Sequence, residues 1–172
     1  MGSIATPVGS FENPVREALH QLKYRRNVGL GEALATQMSM FVAQLGWPVD
    51  TIVPIPLGKK RLKERGYNQV AMVVKPLSLH LGIDYCPAAL VRARETRSQV
   101  GLSATERKQN VVNAFQADKN KVDGRTVLLM DDVSTTGSTL SSCSEALLQA
   151  GAINVYALTV ARALPHHDLK QV

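Results

Sequence analysis

Val127-Leu128-Leu129-Met130-Asp131-Asp132-Val133-Ser134-Thr135-Thr136-Gly137-Ser138-Thr139 is the stretch from which the rest of the 172-residue chain can be read. Four apolar residues in a row, with Gly124 behind and two aspartates ahead, have the pattern of a central parallel strand covered on both faces. Leu140, Cys143, Leu147 and Leu148 then recur at helical spacing up to Gly151, which predicts a helix over about 138–150. The strand delivers Asp131 and Asp132 to its carboxyl end, where ligands bind in open α/β sheets. Ser134, Thr135, Thr136, Gly137, Ser138 and Thr139 fall at the mouth of the helix, where free backbone N–H groups and the helix dipole attract an anion. Gly137 lets backbone approach a ligand closely, and the hydroxyls add donors. Acceptors for sugar hydroxyls beside donors for a phosphate are what a sugar phosphate requires.

Other anion motifs fit less well. No lysine follows Gly137, so the segment is not a nucleotide P-loop. Gly29-x-Gly31 would need glycine at 34 for a dinucleotide fingerprint, and Leu34 stands there. Aspartyl phosphatases want a second aspartate two residues after the first, where this chain has Val133. An Asp-Asp pair alone would do no more than cap a helix; the Thr-Thr-Gly-Ser-Thr tail favours a phosphosugar site.

Working outward, Asn13-Pro14 reads as a helix start, and Val15, Ala18, Leu19 and Leu22 predict a helix over 14–24. Leu34, Met38, Phe41, Val42 and Leu45 predict a second, from about 31 to 45, ending at Gly46. Residues 50–56 read as a buried strand stopped by Pro54 and Pro56. A basic loop from Gly58 to Gly66 follows, then a helix over about 68–81 that Pro76 should kink. Ala89-Leu90-Val91 and Val111–Phe115 read as strands, Ser103-x-x-Glu106 as a capping box and Val155–Ala161 as a last strand. Strands alternating with helices predict one α/β domain: a mainly parallel, twisted sheet flanked by helices, with 1–12 as a loose lead-in.

Composition agrees with that class. Apolar residues form 45% of the chain and charged residues 20%, which suits a packed domain and excludes a disordered or fibrous one. No apolar run reaches the length of a membrane span, and the first residues lack the pattern of a signal peptide. Cys86 and Cys143 are far apart and form no Cys-x-x-Cys, which points to two small buried thiols in a reduced, cytoplasmic setting. His20, His80, His166 and His167 show no metal-ligand spacing. Twenty basic against fourteen acidic residues give +6, a balance that suits a phosphorylated metabolite or a nucleic acid. Single-stranded DNA fits the charge. However, aromatics are 5% of the chain and do not interleave with the basic runs as a stacking platform would. Tyr24 and Trp47 read as packing residues, and Lys23, Arg25 and Arg26 as partners of a helix dipole.

Residues 127–139 resemble the thirteen-residue signature of type I phosphoribosyltransferases, which bind 5-phosphoribosyl-1-pyrophosphate (PRPP). Further stretches resemble the ComF subfamily, linked in bacteria to competence and DNA uptake. They are Leu22-Lys23-Tyr24, Val53-Pro54-Ile55-Pro56, Arg61–Gln69, and the scattered set Arg97, Gln99, Leu102-Ser103, Glu106-Arg107, Asn110-Val111 and Ala114-Phe115. Together they span about residues 14–161. ComF-type chains often begin with a cysteine-rich zinc module, and this chain starts without one.

The resemblance implies a role for each matching position. Asp131 and Asp132 would hold the ribose 2′ and 3′ hydroxyls and act in catalysis, Thr135 to Thr139 would wrap the 5-phosphate, and Ser134 would join them in binding PRPP. Lys59, Lys60 and Arg61 would meet the pyrophosphate. Segment 94–110, with Arg97, Gln99 and Arg107, would be a mobile flap, in keeping with its polar, basic composition. The implied reaction moves the phosphoribosyl group to a nitrogen acceptor and releases pyrophosphate, with Mg²⁺ held mainly by the substrate and in part by Asp131 and Asp132. Purine-salvage members often carry an aspartate before the Thr-Gly pair; Thr135 stands here, which argues against hypoxanthine or guanine as acceptor. A PRPP-binding regulator without catalysis and an accessory of DNA uptake are the competing readings. A homodimer is compatible with the sequence, which sets no oligomeric state.

Overall fold

The computed structural model describes residues 4–5, 13–94, 106 and 113–162, and side chains over 15–94, 106 and 113–162. Its centre is a five-stranded sheet in which every neighbouring pair is parallel. The strands are β1 (Ile4–Ala5), β2 (Thr51–Pro54), β3 (Asp84–Tyr85), β6 (Thr126–Ser134) and β7 (Asn154–Arg162), in the order β1-β7-β6-β2-β3. A separate antiparallel ribbon pairs β4 (Leu90–Arg92) with β5 (Phe115–Ala117). The helices are α1 (Asn13–Tyr24), α2 (Val28–Leu45), α3 (Lys59–Arg65), α4 (Gln69–Leu81), the single turn α5 (Lys119–Val122) and α6 (Ser138–Gln149).

Side-chain alternation along the central strands sorts the core into two layers. Val127 and Leu129 of β6 join Val53, Val155 and Ala157 under Leu140, Cys143 and Leu147 of α6. Leu128 and Met130 face the other way, joining Ile52, Leu158 and Val160 beneath α1, α2 and α4 through Leu19, Leu22, Met38, Val73 and Leu77. Trp47 stacks on Tyr156 with ring centroids 4.5 Å apart, a packing role as its sequence context predicts. Cys143 is buried and Cys86 half-buried; both are free thiols.

Several boundaries differ from the sequence reading, each for a local reason. Helix α2 begins at Val28, because the Asn27 side chain accepts the Leu30 amide at 3.0 Å and caps the helix ahead of its first apolar repeat. The basic stretch after Gly58 is not a loop: Lys59–Arg65 forms α3, closed by Gly66 at φ 77°. No residue of α3 is buried, so it carries no apolar periodicity to announce it. The lead-in contributes Ile4–Ala5, paired to Ala157 and Leu158 at one edge of the sheet. The strand expected at 111–115 lies instead at Phe115–Ala117, with Asn113 in a turn at φ 53°. Of the flap segment, Glu106 is helical, whereas Arg97, Gln99 and Arg107 lie outside the described residues, as does the helix start expected at Ser103.

One difference creates the site. Strand β6 does not stop at Met130 but continues through Asp131, Asp132, Val133 and Ser134. Its pairing with β7 runs to Ser134↔Arg162, whereas its pairing with β2 ends at Pro54↔Met130. The last contact on that side is the Ile55 amide on the Met130 carbonyl, 2.8 Å. Prolines 54 and 56 cannot donate to the ladder, so β2 leaves and β6 runs on with one open edge.

Candidate functional site: the end of strand β6

The shallow hollow at the open end of β6 is lined by Asp131, Val133, the turn Ser134–Thr139 and Leu140. Gly137 turns the chain from strand into helix at φ 76°, ψ 0°, a left-handed conformation that glycine adopts without steric cost. A Cβ built on Gly137 would meet nothing within 4 Å, so the glycine is demanded by the backbone and not by crowding. Thr136 Oγ1 and Ser138 Oγ are 2.7 Å apart, and the Ser138 amide reaches Thr136 Oγ1 only at 3.4 Å. Hydroxyls and the first turn of α6 thus converge at the positive end of a twelve-residue helix.

The two aspartates do not share an environment. They are consecutive in a strand, so their Cβ atoms leave opposite faces of the sheet, yet their carboxyl groups stay within hydrogen-bonding reach of one another at its end. Asp131 lines the hollow on the α6 face. Asp132 is 9% exposed and faces α1 and α4, where Lys23 Nζ lies 2.8 Å from its Oδ2 and Gln69 Nε2 donates to the same oxygen at 3.1 Å. Its Oδ1 accepts the Val133 amide at 2.8 Å, while Asp131 Oδ1 accepts the Asp132 amide at 2.8 Å. Burial, and then the charge of Asp132, push the Asp131 carboxyl well above the usual carboxylate range. Burial would also raise Asp132, but the Lys23 ammonium, first by charge and then by its hydrogen bond, together with Gln69, outweighs it and leaves that group below its usual value. Burial likewise pushes the Cys143 thiol up.

The segment Arg65-Gly66-Tyr67-Asn68-Gln69 builds the wall behind Asp132. Gln69 orients toward Asp132 while its own Oε1 accepts from Arg65 Nη1. Asn68 caps α4 by accepting the Val70 amide at 3.0 Å and donates to the Ile55 carbonyl at 2.9 Å, tying the helix to the end of β2. Tyr67 Oη donates to the Leu22 carbonyl at 2.7 Å and accepts the Arg26 amide at 3.1 Å, which pins the end of α1 that carries Lys23.

Sequence reasoning found the pocket-lining residues and missed this wall. Lys23 is an ion-pair partner of Asp132 as well as a residue of a helix end, contrary to the dipole-only reading. Tyr24 is not packed away: it is 68% exposed, with the Arg65 guanidinium over its ring at 5.6 Å. Aromatics and basic groups that do not interleave in sequence therefore meet in space, since Arg26 also lies over the Tyr67 ring at 5.7 Å. Lys59, Lys60 and Arg61 are exposed on the first turn of α3; the groups bonded through to Asp132 come from its last residue, Arg65, and from α4. Arg92 is half-buried with its guanidinium over the Phe115 ring at 4.9 Å, a packing role. His80 pairs with Glu32 at 2.8 Å. Among the described residues no three His, Cys, Asp or Glu side chains gather into a metal cluster. Nor is any helix among them long and apolar enough to cross a membrane.

A parallel sheet with an acidic pair and a hydroxyl-rich helix mouth at one strand end is the phosphoribosyltransferase arrangement that the signature implies. The chain belongs to the phosphoribosyl transferase domain family, whose pattern matches residues 68–170. It is similar to DNA utilization protein YhgH of Escherichia coli K12, 36% identical over 163 residues that cover 91% of this chain and 71% of that protein. Competence protein F of Haemophilus influenzae is 34% identical over 164 residues, with the same coverage of 91% and 71%. Competence protein ComFC of Bacillus subtilis is 29% identical over 159 residues, 91% of this chain and 63% of that one. Among solved structures, the glutamine PRPP amidotransferase of B. subtilis, complexed with ADP and GMP, superposes with a TM-score of 0.53. It is 20% identical over 76% of this chain and 26% of its own, a likeness of fold.

Proposed function

We propose that the chain binds PRPP and moves its phosphoribosyl group to a nitrogen acceptor, with pyrophosphate as the leaving group. The observation that carries this reading is the hollow at the end of β6, where one carboxyl faces six residues of a hydroxyl-bearing helix mouth. The Ser134–Thr139 turn would hold the 5-phosphate, and the aspartates would take the ribose hydroxyls, Asp131 from the hollow and Asp132 from the opposite face of the sheet. Charge grows on the departing pyrophosphate, so fixed donors and cations placed before the reaction supply the stabilisation. Lys59, Lys60 and Arg61 on α3 and the flap with Arg97, Gln99 and Arg107 would serve the pyrophosphate side. Asp131 is the residue that would help hold a Mg²⁺ brought in with the substrate, and the ion would supply charge neutralisation for the departing pyrophosphate. The donor set agrees with a metal held chiefly by substrate: Lys23 pairs with Asp132 in this structure, and no third carboxylate, His or Cys among the described residues joins the two aspartates. Thr135 offers a hydroxyl where a proton acceptor would be needed for hypoxanthine or guanine, so the acceptor is another nitrogen compound.

The test is calorimetric titration with PRPP and Mg²⁺, followed by pyrophosphate release with a panel of bases. PRPP binding that Asp131→Asn abolishes, with pyrophosphate released for one acceptor, supports the enzyme. Binding without release for any acceptor supports a PRPP-responsive regulator. No binding at all overturns the site.

A second reading, single-stranded DNA, is favoured by the exposed Tyr24 ring, which lies against His20 at 4.6 Å and beneath Arg65. Aromatic faces beside guanidinium groups stack bases without regard to sequence. Salt-dependent oligonucleotide binding that Tyr24→Ala weakens and Asp131→Asn leaves intact would support it.

A further inference from the structure

Both oxygens of Asp132 are engaged by protein groups. Its Oδ1 holds the Val133 amide, and its Oδ2 holds Gln69 and Lys23. Oδ2 thus holds two donors and Oδ1 one, and a ribose hydroxyl that donates to Oδ2 competes with Gln69 and Lys23. The Val133 amide is fixed in β6, and Gln69 is 4% exposed and braced by Arg65. Lys23 is different. Its side chain is 28% exposed, and its ammonium ends a flexible stem that can swing while the helix beneath stays pinned by Tyr67. An ammonium that leaves a carboxylate turns to solvent unless another anion stands within reach, where it gains a charge-assisted hydrogen bond.

We propose that Lys23 is a specificity-determining residue that selects a ribose bearing an anionic group at its anomeric carbon over one that does not. This rests on the reading that the aspartates receive the ribose hydroxyls. The 5-phosphate goes to the Ser134–Thr139 turn, in a hollow that Lys23 does not line, and so does not replace Asp132 as its partner. The anomeric carbon adjoins the 2-hydroxyl. A pyrophosphate there brings oxyanions within reach of an ammonium released from Asp132. With PRPP, hydroxyl and ammonium exchange partners; with ribose 5-phosphate, the ammonium gains only water in place of Asp132.

The experiment titrates the full chain with PRPP plus Mg²⁺ and with ribose 5-phosphate, in wild type, Lys23→Met and Lys23→Arg. Lys23→Met should weaken PRPP by about tenfold or more, the scale of one charge-assisted hydrogen bond, and leave ribose 5-phosphate equal or tighter. Lys23→Arg should recover most of the preference. Equal loss for both ligands, or no change for either, overturns the proposal, since a merely structural lysine would not alter their ratio. If wild type binds neither ligand, the phosphoribosyl reading itself fails. A failure of the Lys23 proposal, by contrast, leaves wild-type binding in place. Should Lys23→Met not fold, Lys23→Gln removes the charge while keeping a donor, and the same ratio decides.

Discussion

Gly31 lies against the carbonyl oxygen of Met72: a methyl group at position 31 would stand 2.7 Å from that oxygen. The carbonyl is available because residue 76, four positions on in α4, is a proline and has no N–H to give it. Helix α4 nonetheless runs on to Leu81, so Pro76 removes one rung of the ladder and α2 packs close at that place. Gly31→Ala should therefore cost about 1–3 kcal/mol of unfolding free energy, the scale of an overpacked core. Gly29→Ala is the control, with only Asn27 Oδ1 at 3.7 Å, and should stabilise by about 0.5–1 kcal/mol. Urea unfolding of both variants checks the pair; equal effects would mean that the close approach is not what requires glycine.

Asp131 and Asp132 should respond to amidation with opposite signs. The Asp131 carboxyl is raised by burial, so its ionisation works against the fold once pH climbs above the ordinary carboxylate value. Asp131→Asn should thus stabilise at pH 7, with the gain shrinking as pH falls toward 4 (roughly the free carboxyl range). Asp132 is lowered, so it contributes stability above the unfolded pKa that is lost as pH drops through its folded value. Asp132→Asn should lose about 1–3 kcal/mol at pH 7, leaving Lys23 without its partner, and the loss should fade in acid. Thermal melts from pH 3 to pH 8 read both signs.

Tyr67→Phe should separate the end of α1 from the wall it serves. The phenol hydroxyl bonds Leu22 and Arg26, the residues either side of the Lys23–Arg25 run. Removing it should cost about 1–2 kcal/mol and lower PRPP affinity without touching the Ser134–Thr139 turn. Calorimetry against both PRPP and ribose 5-phosphate would register the change chiefly in PRPP.

Gly137→Ala tests the turn. Space for the methyl exists, but φ 76° is a left-handed conformation that costs a non-glycine residue roughly 1–2 kcal/mol. Ribose 5-phosphate affinity should fall with stability, and Gly137→Val should lose more, since it adds apolar branches where the proposed function puts the 5-phosphate. Undiminished binding in Gly137→Val would put the phosphate elsewhere.

What could be read before the structure was whatever is local. The run Val127–Met130, the aspartates and the Thr-Thr-Gly-Ser-Thr turn are contiguous, so strand, switch and helix mouth follow from order along the chain. The long amphipathic helices were equally legible. The wall behind Asp132 was not, because Lys23, Arg65 and Gln69 come from three helices and meet only in the fold. Helix α3 was hidden for want of buried residues, and β3, two residues long, carries too little pattern to be seen. The reach of β6 past Met130 was masked by its polarity. Aspartates signal a loop in sequence, yet here they are held by β7 on one side alone.

The placement of two consecutive aspartates at the end of a strand whose alternate residues feed both layers has a mechanical consequence. Each side of the sheet has its own cluster of buried side chains, and the aspartates are the polar ends of both. A single sugar gripped by the two would act as a rivet through the end of the sheet, coupling layers otherwise joined through the strands themselves. Occupancy should then slow amide exchange under α1 and under α6 together, although only α6 would meet the phosphate.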